Sequence, residues 1–410
     1  MLRVQRLFVR AAVICSLICS VFVGVNVQPA SAAQVGVVDS VVKQLLQSGK
    51  PVDVWINISN VVAPSPESFT SQAVTKQAIS SWSSSVENAK KKIKANLKTS
   101  NYVRSYQYVP VIEARLKSLS DLDAVLGSGS NVFVSLRPKL TIAGDAQSIP
   151  LIKASPSLNN GRNGAGTEVA VIDDTGNHGK NVAAIIKDVA PGANVVKYNF
   201  NDILGSISRI VARKATGVNV VAANMSFGIT GVSFSFGRCV NTGLDAVIAS
   251  LLAVNILPVA AAGNDVRTGR MNSPACLPGV VAVGATYDQT WSVKWTYPAT
   301  PGHPNTCSDN APRVKQPACI TNVSKDLDIW APGHNITAAG IAMSGTSQAT
   351  AHVSGAVAML RQAVPSANNF QTTKALKSAG KSITFRGVTR RFLNIRGATK
   401  ALFTITTASP

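Results

Sequence analysis

This chain is poor in acid. Its 410 residues hold 19 Asp and Glu against 40 Lys and Arg, with only 4 His. A calcium loop needs several carboxylates at close spacing, and no segment supplies them. Calcium held partly by backbone oxygens would leave no such mark, so it stays open while no cofactor is expected. No zinc pattern of Cys and His is present. Charged residues make up only 14% against 46% apolar, a balance that excludes intrinsic disorder and allows a large core. Beyond the leader, no stretch gives about 18 uninterrupted apolar residues, so no transmembrane helix is expected.

What is present starts with that leader. Arg3, Arg6 and Arg10 precede an apolar stretch from Ala11 to about Val25, and Ala30-Ser31-Ala32 follows. This order reads as a signal peptide over residues 1–32. It predicts a secreted or periplasmic protein. Cys15 and Cys19 fall inside the leader without small residues before them, which argues against a lipid anchor. The exported chain keeps Cys239, Cys276, Cys307 and Cys319. Four cysteines allow three pairings. Cys239–Cys276 and Cys307–Cys319 are favoured, because each pair flanks one compact segment.

The formal charge is +21, or +18 without the leader's three arginines. A basic surface attracts anionic partners such as lipid headgroups, acidic polysaccharide or acidic proteins. Outside the cell, nucleic acid is not an expected partner. Lys90-Lys91-Lys92-Ile93-Lys94 reads as one solvated helix face.

Two compositions divide the chain. From Gln34 to Pro138 the pattern is strand, long helix, strand, helix, strand. Val52–Ile58 alternates at period two, residues 71–98 lack Gly and Pro, and a short helix over 118–126 is capped by Ser118 or Ser120. This order predicts a small antiparallel sheet backed by helices. A Gly- and Asn-rich linker follows from Ser155 to Gly166. Strands then alternate with helices: strand 168–173, helix 178–189, strand 194–200, helix 202–215, strand 218–227, helix 241–254, strands 256–263 and 280–285, helix 347–363. Such alternation implies a parallel sheet covered on both faces, with its ligand crevice at the carboxyl ends of the strands.

Three segments sit at such ends. In Val171-Ile172-Asp173-Asp174-Thr175-Gly176-Asn177-His178, an Asp closes a buried strand and a His opens the next helix. In Val259-Ala260-Ala261-Ala262-Gly263-Asn264-Asp265, an Asn follows a strand through a Gly turn. In Ser344-Gly345-Thr346-Ser347-Gln348-Ala349, a Ser opens an apolar helix. A serine hydroxyl is a weak nucleophile until an imidazole takes its proton. A buried carboxylate fixes the imidazole tautomer. The oxyanion needs aimed donors: the Ser347 N–H at a helix start, and the Asn264 amide. Asp173 is favoured over Asp174 by strand register. His352, in the nucleophile helix, reads as a packed structural residue, and His303 and His334 lie in loops.

The order Asp, His, Asn, Ser is similar to that of the subtilisin-like serine proteases. Gly345-Thr346-Ser347 through Gly355 resembles their nucleophile motif, Ala261-Ala262-Gly263-Asn264 their oxyanion motif, and Asn224-Met225-Ser226-Phe227-Gly228 their substrate-pairing segment. Ser273–Ala285 and Leu327–Gly333 resemble two structural stretches of the family. The resemblance covers about residues 147–400. It implies an α/β fold, a subtilisin-like parallel sheet with helices on both faces over 146–410, preceded by a small α+β ferredoxin-like propeptide domain over 33–145. It implies a self-processing precursor, cut between about Leu140 and Ala146, whose propeptide is chaperone and intramolecular inhibitor. The implied activity is that of a serine endopeptidase, likened to a monomer acting on peptide or protein substrates. Asp173, His178 and Ser347 would be catalytic and Asn264 the oxyanion donor. Ser226, Phe227, Gly228, Ala261, Ala262 and Gly263 would bind substrate; their uncharged character suggests an apolar or bulky residue before the scissile bond. The family pattern departs first in spacing: about thirty residues usually separate the Asp and His, and here the spacing is five; His178-Gly179-Lys180-Asn181-Val182 also departs at its third and fourth places, and Gln348 and Ala351 replace the usual Met and Pro as packing changes. That shortening supports the alternative, a catalytically impaired binding protein on the same fold. A lipase or esterase would require Gly-x-Ser-x-Gly at an elbow, which Ser347 lacks.

Overall fold

The computed structural model describes residues 36–407 apart from 60, 62–63, 65–71, 130, 138–139, 143–147, 156–158, 230–237, 240–242 and 301–304. The expected signal peptide, His303 and most of the expected processing region lie outside the described residues.

The N-terminal layer comprises β1 (Val37–Val38), α1 (Ser40–Gln47), β2 (Val52–Ile58), α2 (Gln72–Asn96), β3 (Tyr102–Tyr106), β4 (Val109–Leu116), α3 (Leu119–Leu126) and β5 (Val132–Leu136). Its sheet has the order β1-β5-β2-β4-β3. The pairs are antiparallel except β1 with β5, which is parallel. The wholly antiparallel sheet expected from the sequence is corrected at that edge, where β1 is two residues long and offers no period to read. Ser118 caps α3: its side chain accepts from the Asp121 N–H, and the Asp121 carboxylate accepts from the Ser118 N–H. Val42, Val54, Ile56, Ile93, Leu122 and Val134 belong to this layer's own core. Trp55, Val109 and Val111 join the larger core behind it. Lys91 and Lys92 face solvent as expected, but Lys90 is fully buried and donates to Glu87 at 2.7 Å and to the Tyr106 carbonyl. The single solvated face is corrected at that residue.

After β6 (Leu140–Ile142) the chain runs through β7 (Glu168–Asp173), α4 (Asn177–Val189), β8 (Asn194–Asn199), α5 (Ile203–Ala215), β9 (Val220–Met225), β10 (Phe227–Ile229), α6 (Asp245–Leu252), β11 (Leu257–Ala261) and β12 (Val281–Thr286). Then come β13 (Trp295–Tyr297), β14 (Cys307–Asp309), β15 (Ile329–Pro332), β16 (Ile336–Ala338), β17 (Ile341–Met343), α7 (Thr346–Ala363), α8 (Asn369–Ser378), β18 (Ser382–Phe385), β19 (Val388–Phe392) and α9 (Ile395–Thr407). The large sheet has eight strands among the described residues, ordered β18-β19-β15-β12-β11-β9-β7-β8. All pairs are parallel save β18 with β19. Every residue of β7, β9, β11, β12 and β15 is buried, which is why these strands read as continuous apolar runs. The expected strand 218–227 divides at Ser226 into β9 and β10.

Helix α7 is buried from Thr346 to Arg361. Its small residues make that possible. A Cβ added at Gly355 would lie 2.7 Å from Val189 Cβ, so α7 and α4 approach closely. Cys239 pairs with Cys276 and Cys307 with Cys319.

The N-terminal layer meets the large domain through polar contacts as well as packing. Arg104 lies 3.2 Å from the Asp202 carboxylate, and the Tyr106 hydroxyl donates to the same oxygen at 3.2 Å. Beyond that layer, β6 pairs antiparallel with β10, setting Ile142 opposite Phe227, Thr141 opposite Gly228 and Leu140 opposite Ile229.

Candidate active site

The site gathers at the carboxyl ends of β7, β9 and β11 and the start of α7. Asp173 is the last residue of β7 and His178 the second of α4. His178 Nδ1 lies 2.6 Å from Asp173 Oδ1, with both side chains buried. Burial raises the Asp173 carboxyl above the ordinary Asp range, opposed by the His178 hydrogen bond. Asp174 has a different task. Its Oδ1 accepts from the Gly176 and Gly179 N–H groups, each at 2.9 Å, and so closes the turn into α4. Glycine is required at 179, where a Cβ would stand 2.2 Å from the Asp174 carbonyl oxygen. The five-residue connection is therefore short but complete. The ligand atoms of Asp173, Asp174 and His178 lie within 4.8 Å of one another, the spacing of a metal cluster. Asp173 Oδ1 is engaged by the imidazole and the Asp174 N–H, and Asp174 Oδ1 by two glycine N–H groups, while Asp173 Oδ2 is buried without a hydrogen-bond partner.

Ser347 is the second residue of α7, so its N–H lies at the positive end of an 18-residue helix. Its hydroxyl donates to the Ser226 carbonyl at 2.9 Å, and the Ser226 hydroxyl donates to the Ser347 carbonyl at 2.9 Å. Asn224 supports Ser226 through Nδ2 at 2.9 Å, and Ser354 donates to Asn224 Oδ1 at 3.0 Å. These residues are wholly or almost wholly buried. Asn264 is held by its carbonyl end: the Thr346 N–H and hydroxyl both donate to Oδ1 at 2.9 Å. That fixes the amide flip and leaves Nδ2 as the outward donor.

The sequence marked Gln348 only as a packing change and did not mark the other members of this framework. Gln348 Nε2 donates to Asn181 Oδ1 at 2.9 Å. Asn272 and Asn322 surround the turn that carries Asn264, and both donate to Asp265 Oδ2, at 2.9 and 2.8 Å. Single amides in loops carry no periodic signal. His352 is buried and neutral: its Nδ1 donates to the Gln348 carbonyl at 2.8 Å, and its Nε2 accepts from Ser148 at 2.7 Å. His334 stands among Tyr287, Trp291, Trp295 and Tyr297. Burial lowers both imidazoles to about 4.

Residues 134–392 match the Subtilase family. The chain belongs to that family. Subtilisin Savinase of Lederbergia lenta is 32% identical over 269 residues, which are 63% of this chain and 83% of that protein. The extracellular serine proteinase of Thermus sp. (strain Rt41A) is 29% identical over 214 residues, 50% of this chain and 45% of that protein. The chain thus spans less than half the length of the Thermus relative. Among solved structures, fervidolysin from Fervidobacterium pennivorans, a keratinolytic enzyme related to subtilisin, superposes with a TM-score of 0.53 at 15% identity. It covers 86% of this chain and 61% of fervidolysin, a likeness of fold. The large domain of this subtilase is a serine-endopeptidase domain with the expected parallel sheet. Among the described residues, no helix is long and apolar enough to cross a membrane.

Proposed function

We propose that this subtilase is a secreted endopeptidase in which Asp173, His178 and Ser347 form the catalytic triad and Asn264 with the Ser347 N–H forms the oxyanion hole. The observation that carries the reading is the 2.6 Å Asp173–His178 contact at the end of β7. The alternative of an impaired binding protein rested on the short Asp–His spacing, and that spacing still brings the two side chains into hydrogen-bond contact.

The reaction is acyl transfer. Asp173 holds the Nδ1–H tautomer, which leaves His178 Nε2 as the base. The Ser347 hydroxyl gives its proton to Nε2 as Oγ bonds to the substrate carbonyl carbon. The oxyanion meets Asn264 Nδ2 and the Ser347 N–H. The C–N bond then breaks, and the amine leaves with the proton from His178. Water attacks the acyl-enzyme, again giving its proton to His178, and Ser347 recovers that proton as the carboxylic acid departs. At rest the Ser347 hydroxyl is spent on the Ser226 carbonyl. A substrate N–H pairing with that carbonyl would compete for it and release the hydroxyl for His178.

The same reading makes residues 33–145 a propeptide that blocks the cleft. Its support is the pairing of β6 with β10, the segment expected to bind substrate. The proposed self-processing bond lies between about Leu140 and Ala146, in or just past the strand that pairs with β10. A monomer in solution and attraction to anionic surfaces complete the proposal; the second rests on the +18 charge of the exported chain.

Secretion of the precursor and of its Ser347→Ala variant tests the whole. Shortening of the first but not the second, with fluorophosphonate labelling of the first alone, is expected. Identical sizes with no labelling would leave a binding protein.

A further inference from the structure

The two walls expected around the specificity pocket are Ser226–Gly228 and Ala261–Gly263. One short segment bridges them. The Asn272 N–H donates to the Ala262 carbonyl at 3.0 Å, and the Ile229 N–H donates to the Ser273 carbonyl at 2.9 Å. The Asn272 side chain stands in the gap between the walls. A Cβ added at Gly228 would lie 3.0 Å from Asn272 Cβ and 3.1 Å from its Nδ2. A Cβ added at Gly263 would lie 2.7 Å from the same Nδ2 and 2.8 Å from Cγ. Asn272 thus fills the space that a pocket for a large side chain would need.

It is also locked there. Its Nδ2 donates to Asp265 Oδ2 at 2.9 Å, and its Oδ1 accepts from Asn322 Nδ2 at 3.2 Å. Asn322 Nδ2 donates to the same Asp265 oxygen at 2.8 Å, which closes a ring of three side chains. Asn322 Oδ1 accepts from the Asp265 and Arg267 N–H groups, each at 3.0 Å, and Asn322 is fully buried. Swinging Asn272 aside would strip hydrogen bonds from a buried carboxylate and a buried amide. The Asp265 oxygen is already bonded to two amides, so the carboxylate is not presented to a long cationic side chain either.

We infer that Asn272 closes the floor of the specificity pocket and restricts this peptidase to small residues, alanine or glycine, before the scissile bond. The inference rests on the endopeptidase reading and sets its substrate class. It replaces the bulky residue suggested by the uncharged walls, because the floor comes from a segment that the sequence motifs do not mark.

The test uses the mature enzyme and peptides that differ only in the residue before the cut: Gly, Ala, Leu, Phe and Lys. Active sites are counted separately by fluorophosphonate titration of Ser347. The expected result is a kcat/KM for Ala at least about tenfold above Leu, Phe and Lys, the scale on which pockets sort side chains by size. Asn272→Gly should raise Leu and Phe relative to Ala by a similar factor, and Asn272→Ser should do so more weakly. A titrating wild-type enzyme that cuts after Phe as fast as after Ala overturns the inference, as does a titrating Asn272→Gly with an unchanged ratio. If neither variant folds, the wild-type series decides alone. Failure of the wild type to titrate at all defeats the endopeptidase reading, and this inference with it.

Discussion

Gln348 Nε2 donates to Asn181 Oδ1 across 2.9 Å and so ties the start of α7 to the start of α4. Gln348 follows Ser347 directly, and Asn181 lies one turn beyond His178. Asn181 Nδ2 also donates to the Ile341 carbonyl at 3.0 Å, which anchors the β16–β17 hairpin to the same point. Replacing Asn181 with Ala leaves a buried amide and a buried carbonyl unpaired, at a cost of about 2–4 kcal/mol. Urea unfolding should show that loss. Turnover of the remaining folded enzyme should fall as well, because the link aligns the two catalytic helices. Unchanged kcat in folded protein would assign the pair to stability alone.

Gly179→Ala tests the short Asp–His connection. The added methyl meets the Asp174 carbonyl oxygen at 2.2 Å, and backbone rather than a flexible side chain must move. The turn should open and carry His178 away from Asp173. The expected outcome is a loss of more than about 2 kcal/mol in stability together with loss of fluorophosphonate labelling. Ala at Lys180, on the exposed side of α4, is the control that should do neither.

Much of this fold was legible because its strands are buried on both faces and its motifs sit at strand ends. The sequence pattern alone assigns Asp173, Asn264 and Ser347 to one crevice, since alternating strands and helices leave few other places for them. The choice between Asp173 and Asp174 needed geometry: one meets the imidazole, the other the backbone. The break at Ser226 was hidden because the residues on both sides of it are extended, and no Gly or Pro stands between β9 and β10 to mark the end of a strand. Asn181, Asn272 and Asn322 were illegible for a different reason. An amide that bridges two loops has no period and no motif, and its partners lie tens of residues away.

Asn264→Asp separates the oxyanion donor from the fold. The carboxylate keeps acceptors for the Thr346 N–H and hydroxyl but offers no N–H to the oxyanion. A loss of roughly 10²–10³ in kcat is expected, the range known for removing this donor in subtilisin itself, with KM changed far less. A comparable drop in kcat/KM carried entirely by KM would place Asn264 outside the chemistry.

Acid should unfold this protein through its buried histidines. Burial holds His334 and His352 near 4 in the fold against 6.5 for an ordinary imidazole. A depressed base favours the neutral folded form, so its contribution is whole above pH 6.5 and is lost as the pH falls towards 4. Each histidine then costs about 3 kcal/mol by linkage. Urea midpoints should drop between pH 6.5 and 4.5, and His352→Gln should flatten part of that slope. Burial raises Asp288 to about 7, which opposes this slope, so the comparison of wild type with His352→Gln decides: parallel profiles would mean that His352 is not buried neutral.

The Cys307–Cys319 disulfide should matter to catalysis as well as to stability. Residues 320–323 pair with the turn that carries Asn264: the Val266 N–H donates to Ile320 at 3.0 Å, the Asn322 N–H to Gly263 at 2.9 Å and the Gly269 N–H to Val323 at 2.7 Å. Cys319 begins this segment, and Arg386 braces it by donating to the Cys319 and Thr321 carbonyls at 2.8 and 3.2 Å. Cys307→Ser with Cys319→Ser frees one end of the clamp. Closing a loop of this length is worth about 3 kcal/mol, and thermal unfolding should register that loss. Turnover well below the melting range should also fall, because Asn322 loses part of what holds the oxyanion turn in place. Full turnover in the folded double variant would mean that Arg386 and the backbone pairing hold the turn by themselves.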